Sequence, residues 1–291
     1  MVRVSSRSYG ITLVAMAAVL WSTAGLFVRL LDLDVWTILA WRSIFAAISL
    51  CLILIFLHGR NALETTRAIG RPGFVAVALA VVSMGGYVVA LKLTTVANVM
   101  IIYATVPFVA AGMAFVWINE KAAPRVLLAS GVALAGIVIV AGFATRAQDL
   151  AGNAIAFLMT LAFAAQLVMA RRYPRLEMAV VNAFAATLCA LACWPFLEAG
   201  TPSPRQLVVL ALFGIATTAL AYLLFLIGGR YIPSSEAGLL GLLDVVLGPF
   251  WVWLAFGEQP SRAALVGGSL VLASVFWYLS GSLRTIDAHE S

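Results

Sequence analysis

Ten times along this chain about twenty residues pass with hardly a charge among them, and that recurrence limits the fold more than any motif does. The runs cover 9–28, 35–57, 72–91, 95–118, 124–143, 151–170, 178–197, 206–227, 234–256 and 262–280. As a helix rising about 1.5 Å per residue, each is long enough to cross the hydrocarbon of a bilayer. None alternates apolar with polar residues, as the strands of a transmembrane barrel do. With 64% apolar and 10% charged residues, the chain has too little polar surface to cover a globule in water. The expected fold is an all-α integral membrane protein of ten transmembrane helices, with short connections that make consecutive helices antiparallel neighbours. Arg3 and Arg7 resemble the start of a signal peptide, but the apolar run that follows exceeds the usual core of about 7 to 15 residues. It is expected to be a retained helix.

The runs fall into two related sets. Stretches 98–120 and 236–258 are nearly all apolar, contain one proline each and close on an acid, Glu120 and Glu258, 138 positions apart. A basic residue precedes each acid by 28 positions, Lys92 and Arg230. Gly10 is followed by Trp21 after eleven positions and Arg29 after nineteen; Gly152 is followed by Phe163 and Arg171 at the same intervals. These marks divide the chain into halves, 1–146 and 147–291, of five helices each. Because five is odd, the second half enters the membrane upside down relative to the first. Inverted repeats of this kind are the plan of many secondary transporters, with the substrate site near the midplane where the halves meet.

Charge gives the orientation. One set of connections, with the N-terminus, carries twelve Lys and Arg residues and the other set five, with Arg42 inside a run. By the positive-inside rule both termini are expected in the cytoplasm. The net charge of +6 and pI near 9.6 follow from this placement, so no nucleic-acid partner is expected. Cys51, Cys189 and Cys193 lie in apolar runs without metal spacing, and His58 and His289 lie outside the runs. No phosphate loop, nucleophile elbow or zinc-protease motif occurs, so neither an enzyme nor a bound cofactor or metal is expected.

Trp21-Ser22 early in the chain, Arg42 within the second run, and Pro107 thirteen positions before Glu120 carry a resemblance to the drug/metabolite transporter superfamily, in its EamA branch. The second half of such proteins usually shows Glu-Pro thirteen positions before the closing acid. Here Asp244-Val245 stands at that place, and Pro249 lies four residues on. The resemblance implies a bacterial inner-membrane exporter of small metabolites, with exporters of aromatic amino acids of the YddG type as the subgroup most alike.

The candidate substrate-binding residues are Trp21, Arg42, Ser83, Tyr87, Tyr103, Gln166, Asp244 and Trp251. Asp244 lies midway along the ninth run, where an acid costs about 2.5–3.5 kcal/mol to insert and usually faces the bundle interior. Arg42, about 10 Å from the end of its helix, either receives a substrate carboxylate or snorkels outward. Trp21, Tyr87, Tyr103 and Trp251 share one half of the bundle and suit an aromatic or aliphatic side chain. Phe225 and Gly241 stand at the repeat positions of Tyr87 and Tyr103, so the cavity is expected to be lined unequally. Pro107, Gly248 and Pro249 are expected to break the fourth and ninth helices and act as hinges. Glu120 and Glu258 are expected to anchor their helix ends at the interface, beside Lys121 and Arg262. Export of bulky apolar amino acids, efflux of lipophilic cations, and a membrane scaffold without a water-accessible site all remain open at this level. The partners implied are a small-molecule substrate and the lipid bilayer.

Overall fold

In the computed structural model, which describes residues 6–59, 64, 66, 70–94, 96–141, 150–197, 202–257 and 262–290, every regular element is helical. Side chains at 88, 91, 92, 96, 97, 140, 141, 249, 264 and 281–290 are not part of that description. Glu258, the side chains of Lys92 and Pro249, and the junction at 146/147 therefore lie outside the described residues.

We number the rods in chain order. Helix α1 is Ser6–Leu30, interrupted at Thr23; α2 is Val35–His58; α3 is Gly70–Leu93; α4 joins Val96–Tyr103 to Val106–Ile118; α5 is Pro124–Ala141. Helix α6 is Leu150–Arg172; α7 is Met178–Cys193; α8 is Pro204–Gly228, with a π-helical stretch at Gly214–Ala221; α9 joins Ser234–Gly241 to Leu243–Phe256; α10 is Arg262–Glu290. Seven segments, from α1, α2, α4 and α6 to α9, are long and apolar enough to cross a membrane, and shorter apolar helices lie at Pro124–Ile139 and Leu265–Ser280. Their outer faces carry side chains such as Phe56 at 90% and Val116 at 85% exposure, which suit lipid and not water.

Local chemistry sets the ends. The Asp34 carboxylate accepts the Trp36 and Thr37 N–H groups at 2.8 and 3.0 Å, capping α2. Ser203 and Gln206 form a capping box at α8. Helices α4 and α9 both end on a left-handed residue, Asn119 at φ 54° and Gly257 at φ 69°, 138 positions apart. Their interruptions, at Ala104–Thr105 and Leu242, also coincide on adding 138 to Ala104.

Pro107 sits in the first turn of the second segment of α4, as its missing N–H favours. In α9 the structure corrects the expected position of the break: the helix runs unbroken from Leu243 to Phe256, through Gly248 and Pro249, and the interruption is at Leu242. Packing accounts for this. A Cβ on Gly238 would lie 3.1 Å from the Pro107 Cα, and one on Gly241 would lie 3.2 Å from the Phe225 ring. Between these close approaches and the next segment, the chain tightens into a turn in which the Leu242 N–H donates to Leu239 O at 3.1 Å.

The packing has two-fold character. Helices α2 and α7, α4 and α9, and α5 and α10 pack as pairs of repeat equivalents. Helix α3 packs on α6 and α8 on α1, two pairs that the same operation exchanges; so are α4 with α6 and α9 with α1. At one end of the bundle the starts of α1, α5, α7 and α9 meet the ends of α2, α4, α6, α8 and α10, through contacts such as Arg7 with Glu236 and Glu120 with Arg171. We call this the arginine-rich end. At the other end, Thr94 of α3 meets Asn153 of α6 and Trp36 of α2 stacks on Phe196 beyond α7. Only an up-and-down bundle brings these ends together.

Burial is uneven along the bundle. Residues 162–170 of α6, 178–183 of α7 and 234–242 of α9 are buried without exception. Beyond the break, 243–248 of α9 are half-buried, as are 85–87 of α3 and 100–103 of α4. The close approach of α2 and α8 depends on Gly214, whose Cβ would lie 2.2 Å from the Arg42 carbonyl oxygen, whereas one on Gly112 would meet nothing within 4 Å. Thermal unfolding of the purified protein should show Gly214→Ala destabilised by about 1–3 kcal/mol, the usual cost of overpacking, and Gly112→Ala unchanged.

Candidate functional site

The centre of the bundle is aromatic. Trp21 lies in α1 two residues before the interruption at Thr23, and its indole N–H donates to Thr217 O at 2.8 Å. That carbonyl belongs to the π-helical stretch of α8, whose wider turn leaves backbone groups for partners outside the helix. The Trp21 ring meets Phe163 at 5.9 Å, Tyr222 at 6.0 Å and Phe225 at 4.7 Å between centroids. Tyr103 meets Phe163 at 5.8 Å, and Phe163 stacks on Phe225 at 5.4 Å. Trp21 and Phe163, the early aromatics of the two repeats, thus touch each other at the centre.

A polar group is set into this cluster. The Tyr222 hydroxyl donates to Gln166 Oε1 at 2.5 Å and is also hydrogen-bonded with Ser83. Gln166 Nε2 is buried and has no partner. On the neighbouring face the Trp251 N–H donates to Ser22 Oγ at 2.8 Å, and Ser22 in turn donates to Val19 O at 2.6 Å. Gly248 packs on the same turn, with its Cβ position 3.7 Å from Ser22 O.

Two opposite charges face this region. Arg42 of α2 is half-buried, its guanidinium carbon 5.1 Å from the centre of the Phe213 ring, and its Nε has no hydrogen-bond partner. Among the described residues no acid pairs with it. Asp244 of α9 accepts the Val245 N–H, while its Oδ1 is without a partner. Tyr87 lies within electrostatic reach of both Arg42 and Asp244, and Tyr103 within reach of Asp244, Tyr87 and Tyr222. All four side chains are half-buried.

The eight side chains singled out in the sequence therefore gather around one region. Trp21, Ser83, Tyr103 and Gln166 are joined through the aromatic cluster, Arg42, Tyr87 and Asp244 through electrostatics, and Trp251 through Ser22. Phe225 is fully buried in packing, while Tyr87 and Tyr103 remain half-buried, so the lining is unequal. Pro107 is seated against Gly238. Sequence reasoning passed over Tyr222, Thr217 and the structural role of Phe163. The repeat spacing that pairs Trp21 with Phe163 was the signal that pointed to the last of these. Glu120 is ion-paired with Arg171 of α6 at 2.5 Å, a partner from the other half of the chain.

An apolar helical bundle with two-fold packing around a half-buried polar centre defines a multi-pass membrane protein of the two-repeat type. The EamA-like transporter family matches residues 8–142 and 150–280, and the chain belongs to that family. An uncharacterized transporter of Archaeoglobus fulgidus is 23% identical over 274 residues, covering 92% of this chain and 95% of that protein. A crystal structure of another protein has the same fold, with a TM-score of 0.82 at 20% identity over 92% of this chain and 96% of that one.

The Tyr222–Gln166 bond is buried on both sides, so its loss leaves an amide without any partner. Thermal unfolding should show Tyr222→Phe destabilised by about 1–3 kcal/mol, with part of that loss recovered when Gln166→Leu is added.

Proposed function

We propose that this protein is a secondary transporter of the bacterial inner membrane, with ten crossings and both termini in the cytoplasm, that exports small amphipathic metabolites by alternating access. Aromatic or bulky apolar amino acids fit best. The observation that carries this reading is the pair of opposite charges, Arg42 and Asp244, each with an atom left unpartnered and both within reach of Tyr87. A buried charge is expensive unless it is paired and hydrogen-bonded. A zwitterion supplies both missing partners, its carboxylate to the guanidinium and its ammonium to the carboxylate. The rings of Trp21, Tyr87, Tyr103 and Trp251 then take the side chain, and Ser83 and Gln166 supply polar contacts at the edge of the cluster. Pro107 acts as a hinge in this reading, beside the interruption of α4. Energy comes from the substrate gradient or a coupled ion.

A second reading, efflux of lipophilic cations, is favoured by the seat of Arg42 on Phe213, which gives the arginine a structural partner. Asp244 alone then binds the cargo. Proteoliposomes loaded with labelled phenylalanine or tetraphenylphosphonium separate the two. For an amino-acid exporter, Arg42→Gln should slow phenylalanine efflux by about 30-fold, the loss of one charge-assisted contact. Asp244→Asn should only weaken it. For a cation exporter, Asp244→Asn abolishes tetraphenylphosphonium efflux and Arg42→Gln leaves the transport rate unchanged once the protein is folded.

A further inference from the structure

Most of the basic residues lie at the arginine-rich end, and several charged side chains there join one half of the chain to the other. Glu120, at the end of α4, uses one carboxylate oxygen to hold Arg171 of α6 at 2.5 Å. Its other oxygen accepts the backbone N–H of Ser234 at 3.0 Å, at the first residue of α9. Arg7 of α1 reaches both oxygens of Glu236, in the first turn of α9, at 3.0 and 3.2 Å, and the Tyr278 hydroxyl of α10 at 3.3 Å. Arg172 donates to Trp117 O at 2.8 Å, and Arg125 donates to Trp277 O while lying over the Trp277 ring. Every one of these contacts ties a residue of the first half to a residue of the second.

Two features separate this arrangement from ordinary surface ion pairs, which contribute little. The Glu236 side chain has no exposure and that of Glu120 only 14%, so breaking either pair leaves a carboxylate in a dry site. Both also bear on the same short segment, Ser234–Gly241, which is wholly buried and ends at the Leu242 interruption. Beyond that point α9 is half-buried and carries Asp244. The segment therefore stands between the arginine-rich end and the central charges, held at its start by Glu120 and Arg7 and packed along its length on Pro107 through Gly238.

We propose that Glu120 and the Arg7–Glu236 pair form a latch that closes the central site toward the arginine-rich end, and that release of the Ser234–Gly241 segment from this latch admits substrate from that side. The proposal rests on transport by alternating access, but the latch has a conformational consequence that no substrate is needed to see. Glu120 is the hub because one side chain holds two helices of the opposite half, α6 and α9. Loss of its charge frees both together, and the population shifts toward the state open at this end.

The test uses the full chain in lipid nanodiscs with Cys51, Cys189 and Cys193 replaced by alanine and the fully buried Ala237 replaced by cysteine as a reporter. A membrane-impermeant maleimide should label Ala237→Cys slowly in this background. It should label about tenfold faster when Glu120→Gln or Arg7→Gln is added, while Arg171→Lys, which keeps the charge, leaves it slow. Equal labelling rates in all four proteins, each eluting as a folded monodisperse peak, overturn the latch. In a second arm, Arg7→Cys and Glu236→Cys, which remove the ion pair, are bridged by a reducible bifunctional thiosulfonate, so that a covalent link takes the place of the pair. Bridging should stop counterflow of labelled phenylalanine and reduction should restore it; counterflow that continues in the bridged protein also overturns the latch. If the protein with Arg7 and Glu236 intact shows no phenylalanine counterflow, the substrate assignment fails and the labelling arm alone decides the latch.

Discussion

Removing water from around a charge is the interaction on which this structure turns. Inside a bilayer a carboxylate or guanidinium must find a partner in the protein, and the chain meets that demand in two different ways. At the arginine-rich end, Glu120 and Glu236 are paired and largely covered. At the centre, Arg42 and Asp244 keep atoms without partners although both are half-buried. The first arrangement holds helices together. The second leaves Arg42 Nε and Asp244 Oδ1 without a hydrogen-bond partner.

The two-fold relation between the halves makes both arrangements possible. Repeat-equivalent helices pack on each other, the breaks in α4 and α9 fall at matching positions, and Trp21 meets Phe163 where the repeats' early aromatics come together. The symmetry is incomplete in ways that bear on the site. Asp244 has no acidic counterpart in α4, where Val106 stands 138 positions earlier, and Phe225 packs where Tyr87 remains half-buried. A symmetric scaffold thus carries an asymmetric centre.

Much of the fold was legible because a bilayer forces long helices to announce themselves. The run 234–256 coincides with α9, and 35–57 with α2 to within one residue. Facing was harder to read. A helix apolar all round shows no stripe, since lipid and core select the same side chains, so Tyr222 of α8 and its bond to Gln166 left no trace in the pattern. The break in α9 was expected at Gly248–Pro249 because proline lacks an N–H, yet it lies at Leu242, where tertiary contacts of Gly238 and Gly241 decide the backbone. Glu120 is expected from sequence to anchor a helix end, but its partner Arg171 lies 51 positions away and only the folded chain brings it near. Arg42 and Asp244 were legible as candidates because charged residues in the middle of apolar runs stand out whatever they face.

The claim at the centre of this account is that water and solutes reach the region between Arg42 and Asp244 from the side opposite the arginine-rich end. In a cysteine-free background, Tyr87→Cys and Tyr103→Cys can each be exposed to a membrane-impermeant thiol reagent applied to the outside of intact cells. Both should label, and added phenylalanine should slow the labelling of each. If neither position reacts while a cysteine placed at the exposed Asp32 does, the centre is sealed and the protein is a scaffold without a transport path.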